Sequence, residues 1–281
     1  MVNVRVWAFS IALALAMAAN ASPQFSNIYT IGDSNSDIGV RYALTHGTPG
    51  APYWQGRHSN GPVAVEYLYQ ALGIPETAGG NNLAVGGALT DKGNVDRQLN
   101  AMDTGMQSQL QQLLAKAPQG KLDSKALYFI WGGGNDLKNC IATCGEETQM
   151  KIASNIHEIL NALQAHGARY FFVVNQYGFS NEPFDHLLDK ELTGKIDPPA
   201  KLILFDALAV LKNIRQHPDQ FGFNFSKPAD RCIDGGPGSR GVQACETPDE
   251  HVFWDRQNHL TAKAQKILGE AMVQALNAAF Q

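Results

Sequence analysis

Ile28-Tyr29-Thr30-Ile31-Gly32-Asp33-Ser34-Asn35-Ser36-Asp37-Ile38-Gly39 is the stretch whose reading decides the fold. Ile28 to Ile31 is a short β-branched and aromatic run, the pattern of a buried strand. Gly32 and Asp33 break the run, and Ser34 stands at the break. A serine on a tight turn at the C-terminal end of a first strand sits where open α/β sheets place their ligands. Gly-Asp-Ser alone would be an ordinary Asx or Ser turn. Its weight comes from three further blocks that lie downstream of it in a compatible order.

Four more apolar runs read as strands: Asn82 to Val85, Ala126 to Trp131, Tyr170 to Val174 and Lys201 to Phe205. Helical spacing marks Val63 to Leu72, Met106 to Lys116, Glu146 to His166, Ala207 to Gln216 and Thr261 to Phe280, with a short helix around Phe184 to Leu192. Arg41 to Gly61 and His217 to Val252, rich in glycine and proline, read as long loops, the first of them on the surface. Strands alternating with helices predict a single-domain, doubly wound three-layer α/β/α sandwich around a five-stranded parallel sheet, flavodoxin-like in type. No linker or composition shift divides residues 22–281.

Composition sets bounds. The 281 residues are 44% hydrophobic and 17% charged, enough for a sizeable core and against global disorder. A net charge of −4 without a Lys/Arg cluster argues against nucleic acid as a partner. Residues 1–21 read as a signal peptide: Arg5 precedes the apolar run Val6 to Met17, and Ala19-Asn20-Ala21 gives an A-x-A cleavage site. The run is short for a membrane-spanning helix, which needs about 20 residues. The expected location is therefore secreted or periplasmic. Four cysteines in an exported chain favour two disulfides over a zinc site, since neither spacing is C-x-x-C. Three connectivities are open, and the sequence-local one, Cys140–Cys144 with Cys232–Cys245, is the expected one.

A serine hydroxyl needs a base to take its proton, and the base needs a partner to hold its tautomer. Phe253-Trp254-Asp255-Arg256-Gln257-Asn258-His259-Leu260-Thr261 stands just before the last helix and offers both, His259 as base and Asp255 as its partner. The other histidines, His58 among them, are expected to do no chemistry. Ester chemistry also needs donors for a developing oxyanion. The candidates are the backbone N–H of Ser34, the backbone N–H of Gly87 and the side-chain amide of Asn135. No His/Asp cluster has metal-ligand spacing, and no metal or cofactor is expected.

Taken in order, Gly32-Asp33-Ser34, Asn82-Leu83-Ala84-Val85-Gly86-Gly87-Ala88, Gly133-Gly134-Asn135-Asp136 and His259 resemble the four blocks of the SGNH (GDSL-type) serine esterases and lipases. Gly56 to Leu68 resembles the segment leading into that family's first long helix. The resemblance implies a catalytic Ser34, His259 and Asp255, with Ser34, Gly87 and Asn135 as the oxyanion hole. Two departures stand out. Asn35 replaces the usual leucine after the serine. Three residues rather than two separate Asp255 from His259, and Leu260 replaces a proline. That longer interval leaves two partners open for His259: Asp255, or a backbone carbonyl.

Within the family the blocks look most like bacterial exported phospholipase A/lysophospholipase enzymes and glycerophospholipid:cholesterol acyltransferases. The resemblance implies a lipid or other ester substrate, acyl transfer to cholesterol as a further activity, and transient membrane contact. It also makes the Cys232–Cys245 loop a lid over the acyl site or a staple on a long loop. Tyr53, Trp54, Phe179 and Phe184 are candidate walls of that site. The alternatives are a short-chain or carbohydrate acetylesterase of the same family, and a lipid- or glycan-binding protein without activity. Asn224-Phe225-Ser226 is a formal glycosylation sequon, meaningful only in a eukaryotic secretory pathway.

Overall fold

The structure, a computed structural model, describes residues 24–140, 144–177, 182–224 and 231–281. The signal-peptide reading, Phe179 and two residues of the sequon lie outside the described residues. Four parallel strands form one sheet in the order β1 (Ile28–Gly32), β2 (Leu127–Trp131), β3 (Tyr170–Val174) and β4 (Lys201–Phe205). Registers run Gly32 opposite Trp131, Trp131 opposite Val174 and Val174 opposite Phe205, so all four strands end level at their C-terminal edge.

Side chains alternate between two cores, as the period of 2 along a strand requires. Leu127, Phe129 and Trp131 of β2 join Phe172 and Val174 of β3 on one face. That face is covered by α2 (Ala64–Leu72), α7 (Ala207–Gln216) and α9 (Ala262–Ala279), with α2 packed on α9. Tyr128, Ile130, Phe171 and Val173 face the other way, under α3 (Met106–Ala115), α5 (Glu146–Ala165) and α6 (Glu182–Leu192). A sheet buried on both faces needs strands apolar on both sides, which explains the near-continuous Leu-Tyr-Phe-Ile-Trp and Tyr-Phe-Phe-Val-Val runs. This is the expected three-layer α/β/α architecture.

The strand count is corrected from five to four. Asn82 to Val85 runs parallel to the free edge of β1, with Thr30 N–H donating to Asn81 O and Leu83 and Val85 N–H to Thr30 O and Gly32 O. Only Thr30–Asn82 forms a ladder bridge. The ladder goes no further because the Gly32 N–H that would pair with Leu83 O donates instead to Gln109 Oε1 of α3 (2.8 Å). Counting this segment, the order is that of the flavodoxin-like sheets, which bind ligands at the switch point beyond the first and third chain segments. Ser34 and Asn135 follow those two segments here.

Two short helices were not legible as such: α1 (Val40–Leu44), and α4 (Gly134–Asn139) within the glycine-rich block after β2. A further short helix, α8 (Pro218–Phe221), lies in the loop after α7. Residues 45–61 are not a surface loop. Tyr53, His58 and Ser59 are buried, and Ser59 Oγ donates to Leu260 O (2.9 Å), fastening this segment under the chain that carries His259. Both expected disulfides are present, Cys140–Cys144 and Cys232–Cys245. Among the described residues no helix is long and apolar enough to cross a membrane.

Candidate active site

The β1 ladder ends where Asp33 N–H donates to Trp131 O (3.2 Å). The chain then turns sharply, Ser36 and Asp37 N–H both donating to Asp33 O (3.1 and 3.0 Å), and Ser34 projects from that turn. Asp37 holds the turn's exit. Its carboxylate accepts from Gly39, Val40 and Arg41 N–H at the start of α1 and from Gly86 N–H (2.7 Å). One side chain therefore fixes the position of the Gly86-Gly87 segment relative to the serine. Burial pushes the Asp37 carboxyl above its ordinary value although four N–H groups oppose the shift.

Gly87 lies in the left-handed region at φ +84°, and a Cβ there would collide with Asn94 Oδ1. Its carbonyl accepts from Val95 N–H (3.0 Å). Among the described residues neither Gly87 N–H nor Ser34 N–H has a protein acceptor. Two backbone donors left open beside a serine are what a developing oxyanion requires.

Asn135 starts from α4, which follows Gly133 at φ +107°. One of its two amide hydrogens is spent on Ala88 O (3.0 Å), and the contact to Asp33 Oδ2 is stretched at 3.5 Å. Next to it Asp136 accepts from Thr90 N–H (3.1 Å) and Thr90 Oγ (2.7 Å), while Asn155 donates to Thr90 Oγ (2.9 Å). The Gly87 and Asn135 segments are thereby joined. Burial raises the Asp136 carboxyl to about 6 against its hydrogen bonds from Thr90.

The third segment arrives from the other side. Trp254 N–H donates to His259 O (2.6 Å), and Phe253 bridges Leu260, which closes residues 254–259 into a tight loop. Thr261 then caps α9. Across this loop His259 Nδ1 lies 2.6 Å from Asp255 Oδ2, and His259 Nε2 lies 2.8 Å from Ser34 Oγ. The network assigns the proton on Nδ1 to Asp255 and leaves the Nε2 lone pair facing the serine hydroxyl. Ser34, His259 and Asp255 are 7%, 4% and 0% exposed, so the relay is shielded from bulk water.

Asp255 is well supplied with donors. Besides His259 it accepts from Tyr53 Oη (2.7 Å), Gln257 N–H (2.8 Å) and His259 N–H (3.2 Å). Burial alone would raise its carboxyl, but the His259 charge and these hydrogen bonds outweigh burial and hold it below its ordinary value. The carboxylate therefore stays charged beside the His259 ring. Of the two partners left open for His259, the geometry supplies Asp255.

His58 lies nearer the site than its place in the chain suggests, its ring centroid 4.9 Å from that of His259. Arg41 Nη1 sits 3.1 Å from its Nε2, and Arg41 is in turn ion-paired to Asp96. Burial, reinforced by the charges of His259, Arg41 and Lys138, keeps His58 far below its ordinary value and neutral. An uncharged ring thus stands beside His259. Of the candidate acyl-site walls, Tyr53 is engaged with Asp255, Trp54 stacks under the Arg57 guanidinium, and Phe184 belongs to the core beneath Gly133. Sequence reasoning also missed Tyr177 and Lys138, which reach the His259 loop from just beyond β3 and from α4, because neither belongs to a recognisable pattern.

The family described as GDSL-like Lipase/Acylhydrolase matches residues 28–272. The chain belongs to this family. It is an ester-bond hydrolase of the esterase and lipase kind. The phosphatidylcholine-sterol acyltransferase of Aeromonas hydrophila is 23% identical over 93% of this chain and 82% of its own. A GDSL esterase/lipase of Arabidopsis thaliana is 24% identical over 90% of this chain and 87% of its own. A crystal structure of the Bacillus subtilis protein YXIM superposes with a TM-score of 0.48 at 13% identity, covering 90% of this chain and 56% of that one.

Proposed function

We propose that this protein cleaves carboxylic esters of lipids, as a lysophospholipase or phospholipase A, through an acyl-enzyme on Ser34. The observation that carries the reading is the buried relay from Ser34 Oγ through His259 to Asp255, with distances of 2.8 and 2.6 Å. In the first step His259 Nε2 takes the Ser34 proton as Oγ attacks the ester carbonyl carbon. The carbonyl π electrons move to the oxygen, which is held by Ser34 N–H, Gly87 N–H and the Asn135 amide. Collapse breaks the bond to the leaving alcohol, which takes the proton from His259. Water then enters, gives a proton to His259 and attacks the acyl carbon. The fatty acid leaves and Ser34 regains its proton.

Acyl transfer replaces that water with a sterol hydroxyl. The Aeromonas relative's name supports testing this as a second activity. We further propose that residues 1–21 direct export and are removed, leaving one hydrolase domain at 22–281, and that the enzyme contacts membrane surfaces transiently. Two disulfides support an oxidising compartment. The Cys232–Cys245 loop is proposed to border the acyl site. Cys232 and Ile233 N–H donate to Phe253 O and Trp254 O, directly before Asp255.

The test incubates mature protein with a lysophospholipid, a diacyl phospholipid and a short-chain nitrophenyl ester, with and without cholesterol, beside Ser34→Ala. Fatty-acid release that disappears in the variant supports the reading, and cholesteryl ester adds the transferase activity. Turnover of the short ester alone refutes the lipid substrate in favour of an acetylesterase.

A further inference from the structure

Three residues separate Asp255 from His259, one more than in the family's pattern, and the loop they form has one distinctive backbone position. Asn258 lies at φ +65°, in the left-handed region that asparagine tolerates better than most residues. Its N–H is turned inward, donating to Asp255 O (3.1 Å). Its carbonyl is taken by a residue from another part of the fold. The Tyr177 hydroxyl, just beyond β3, lies 2.9 Å from Asn258 O and 2.7 Å from Asn35 Oδ1.

Asn35 is the residue after the nucleophile, and its own amide is anchored on Asp33 Oδ1 (3.0 Å). The phenol's one proton is shared between these two acceptors, and in that way it joins the turn that carries Ser34 to the loop that carries His259. It also joins the two places where the chain departs from the family it resembles. The Tyr177 ring is fixed edge-on against Trp131 of β2 at 5.8 Å. Burial, followed by the charges of Asp33 and Asp255, pushes the phenol far above its ordinary value, so it remains a donor throughout the working pH range. The neighbouring carbonyl, Gln257 O, accepts from Lys138 Nζ (2.6 Å), from the helix that carries Asn135.

We propose that Tyr177 is a positioning residue: by tying Asn258 O to Asn35 it holds the three-residue Asp255–His259 interval so that Nε2 stays on Ser34, with Lys138 as the second tether. This rests on the proposal that Ser34 is the nucleophile. It assigns the hydroxyl, not the ring, a part in the rate. A tether absent from the substrate's contacts affects proton transfer geometry and leaves binding alone.

Tyr177→Phe keeps the ring and removes the tether. Expected are a fall in kcat of about tenfold on a soluble nitrophenyl ester, a KM within about twofold of wild type, and an equal fall in the rate of Ser34 labelling by a fluorophosphonate. A folded variant, checked by its thermal transition, with unchanged kcat and labelling rate overturns the proposal, as does a loss confined to KM. Should Tyr177→Phe not fold, Lys138→Met at a solvent-exposed position decides it: a loss of about three- to fivefold in kcat is expected, and no loss overturns it. A wild-type enzyme that fluorophosphonate leaves unlabelled refutes the Ser34 reading itself and the tether with it.

Discussion

Replacing Asp255 by asparagine preserves shape and removes charge from a group that is fully buried. In the folded enzyme the carboxylate serves four donors, and the shortest contact is the 2.6 Å one to His259 Nδ1. Nδ1–H and the Tyr53 hydroxyl share Oδ2 while Gln257 and His259 N–H share Oδ1, so an amide must set its NH2 against one of these pairs of donors, and set against Nδ1 it drives the imidazole toward the wrong tautomer. At 2.6 Å and an effective permittivity of about 20, a carboxylate and an imidazolium attract by about 6 kcal/mol, which bounds what the variant can lose. Allowing for relaxation, a loss of about 3–6 kcal/mol in transition-state stabilisation corresponds to about 10²–10⁴ in kcat. The assay is kcat for a soluble nitrophenyl ester near neutral pH, with circular dichroism to establish folding. A folded Asp255→Asn enzyme retaining more than a tenth of wild-type kcat would refute Asp255 as the partner of His259, three-residue interval or not.

Asn135→Ala removes a candidate oxyanion donor and should lower kcat by about 10²–10³ with little change in KM, read in the same assay. A raised carboxyl at Asp136 means that the folded state binds a proton more tightly than the unfolded one, so stability falls as pH rises from about 4 to about 6. The wild type should therefore lose up to about 3 kcal/mol relative to Asp136→Asn across that window, measured by urea unfolding at both ends; a constant difference would contradict it. Cutting the chain between Cys232 and Cys245 should change the rate on lipid more than on the soluble ester, and equal rates before and after would rule out a bordering role.

Where the chain's chemistry is repetitive, it could be read. β3 occupies the expected residues because a continuous apolar run of five has a doubly covered parallel sheet as its best burial, and β4, four apolar residues after Lys201, takes the half-buried edge of that sheet. Asn82 to Val85 is a shorter apolar run and is not a ladder strand, since one side chain, Gln109 of α3, takes the Gly32 N–H that would extend the pairing. Helix α4 was hidden by residues of poor helical propensity, Gly134-Asn135-Asp136, which are held in place by Thr90 and Ala88 from another segment. Residues 45–61 looked exposed because glycine and proline are common on surfaces, yet Tyr53 and His58 are committed to the site by contacts about 200 residues away in sequence. For the site, Ser34, Gly87, Asn135, Asp255 and His259 were legible as residue types at segment ends. The supports at Tyr177, Tyr53, Asp37 and Lys138 were not, because each reaches the site through hydrogen bonds to distant parts of the chain that no local pattern encodes.

The central claim is that Ser34 is acylated. Mature enzyme treated with a fluorophosphonate, or quenched during turnover of a slow ester, is weighed intact and then mapped by peptide mass spectrometry. The account predicts one adduct per chain, on the peptide containing Ser34, absent from Ser34→Ala and slowed in Asp255→Asn. Undiminished ester turnover in Ser34→Ala, or an adduct on any other residue, would contradict it.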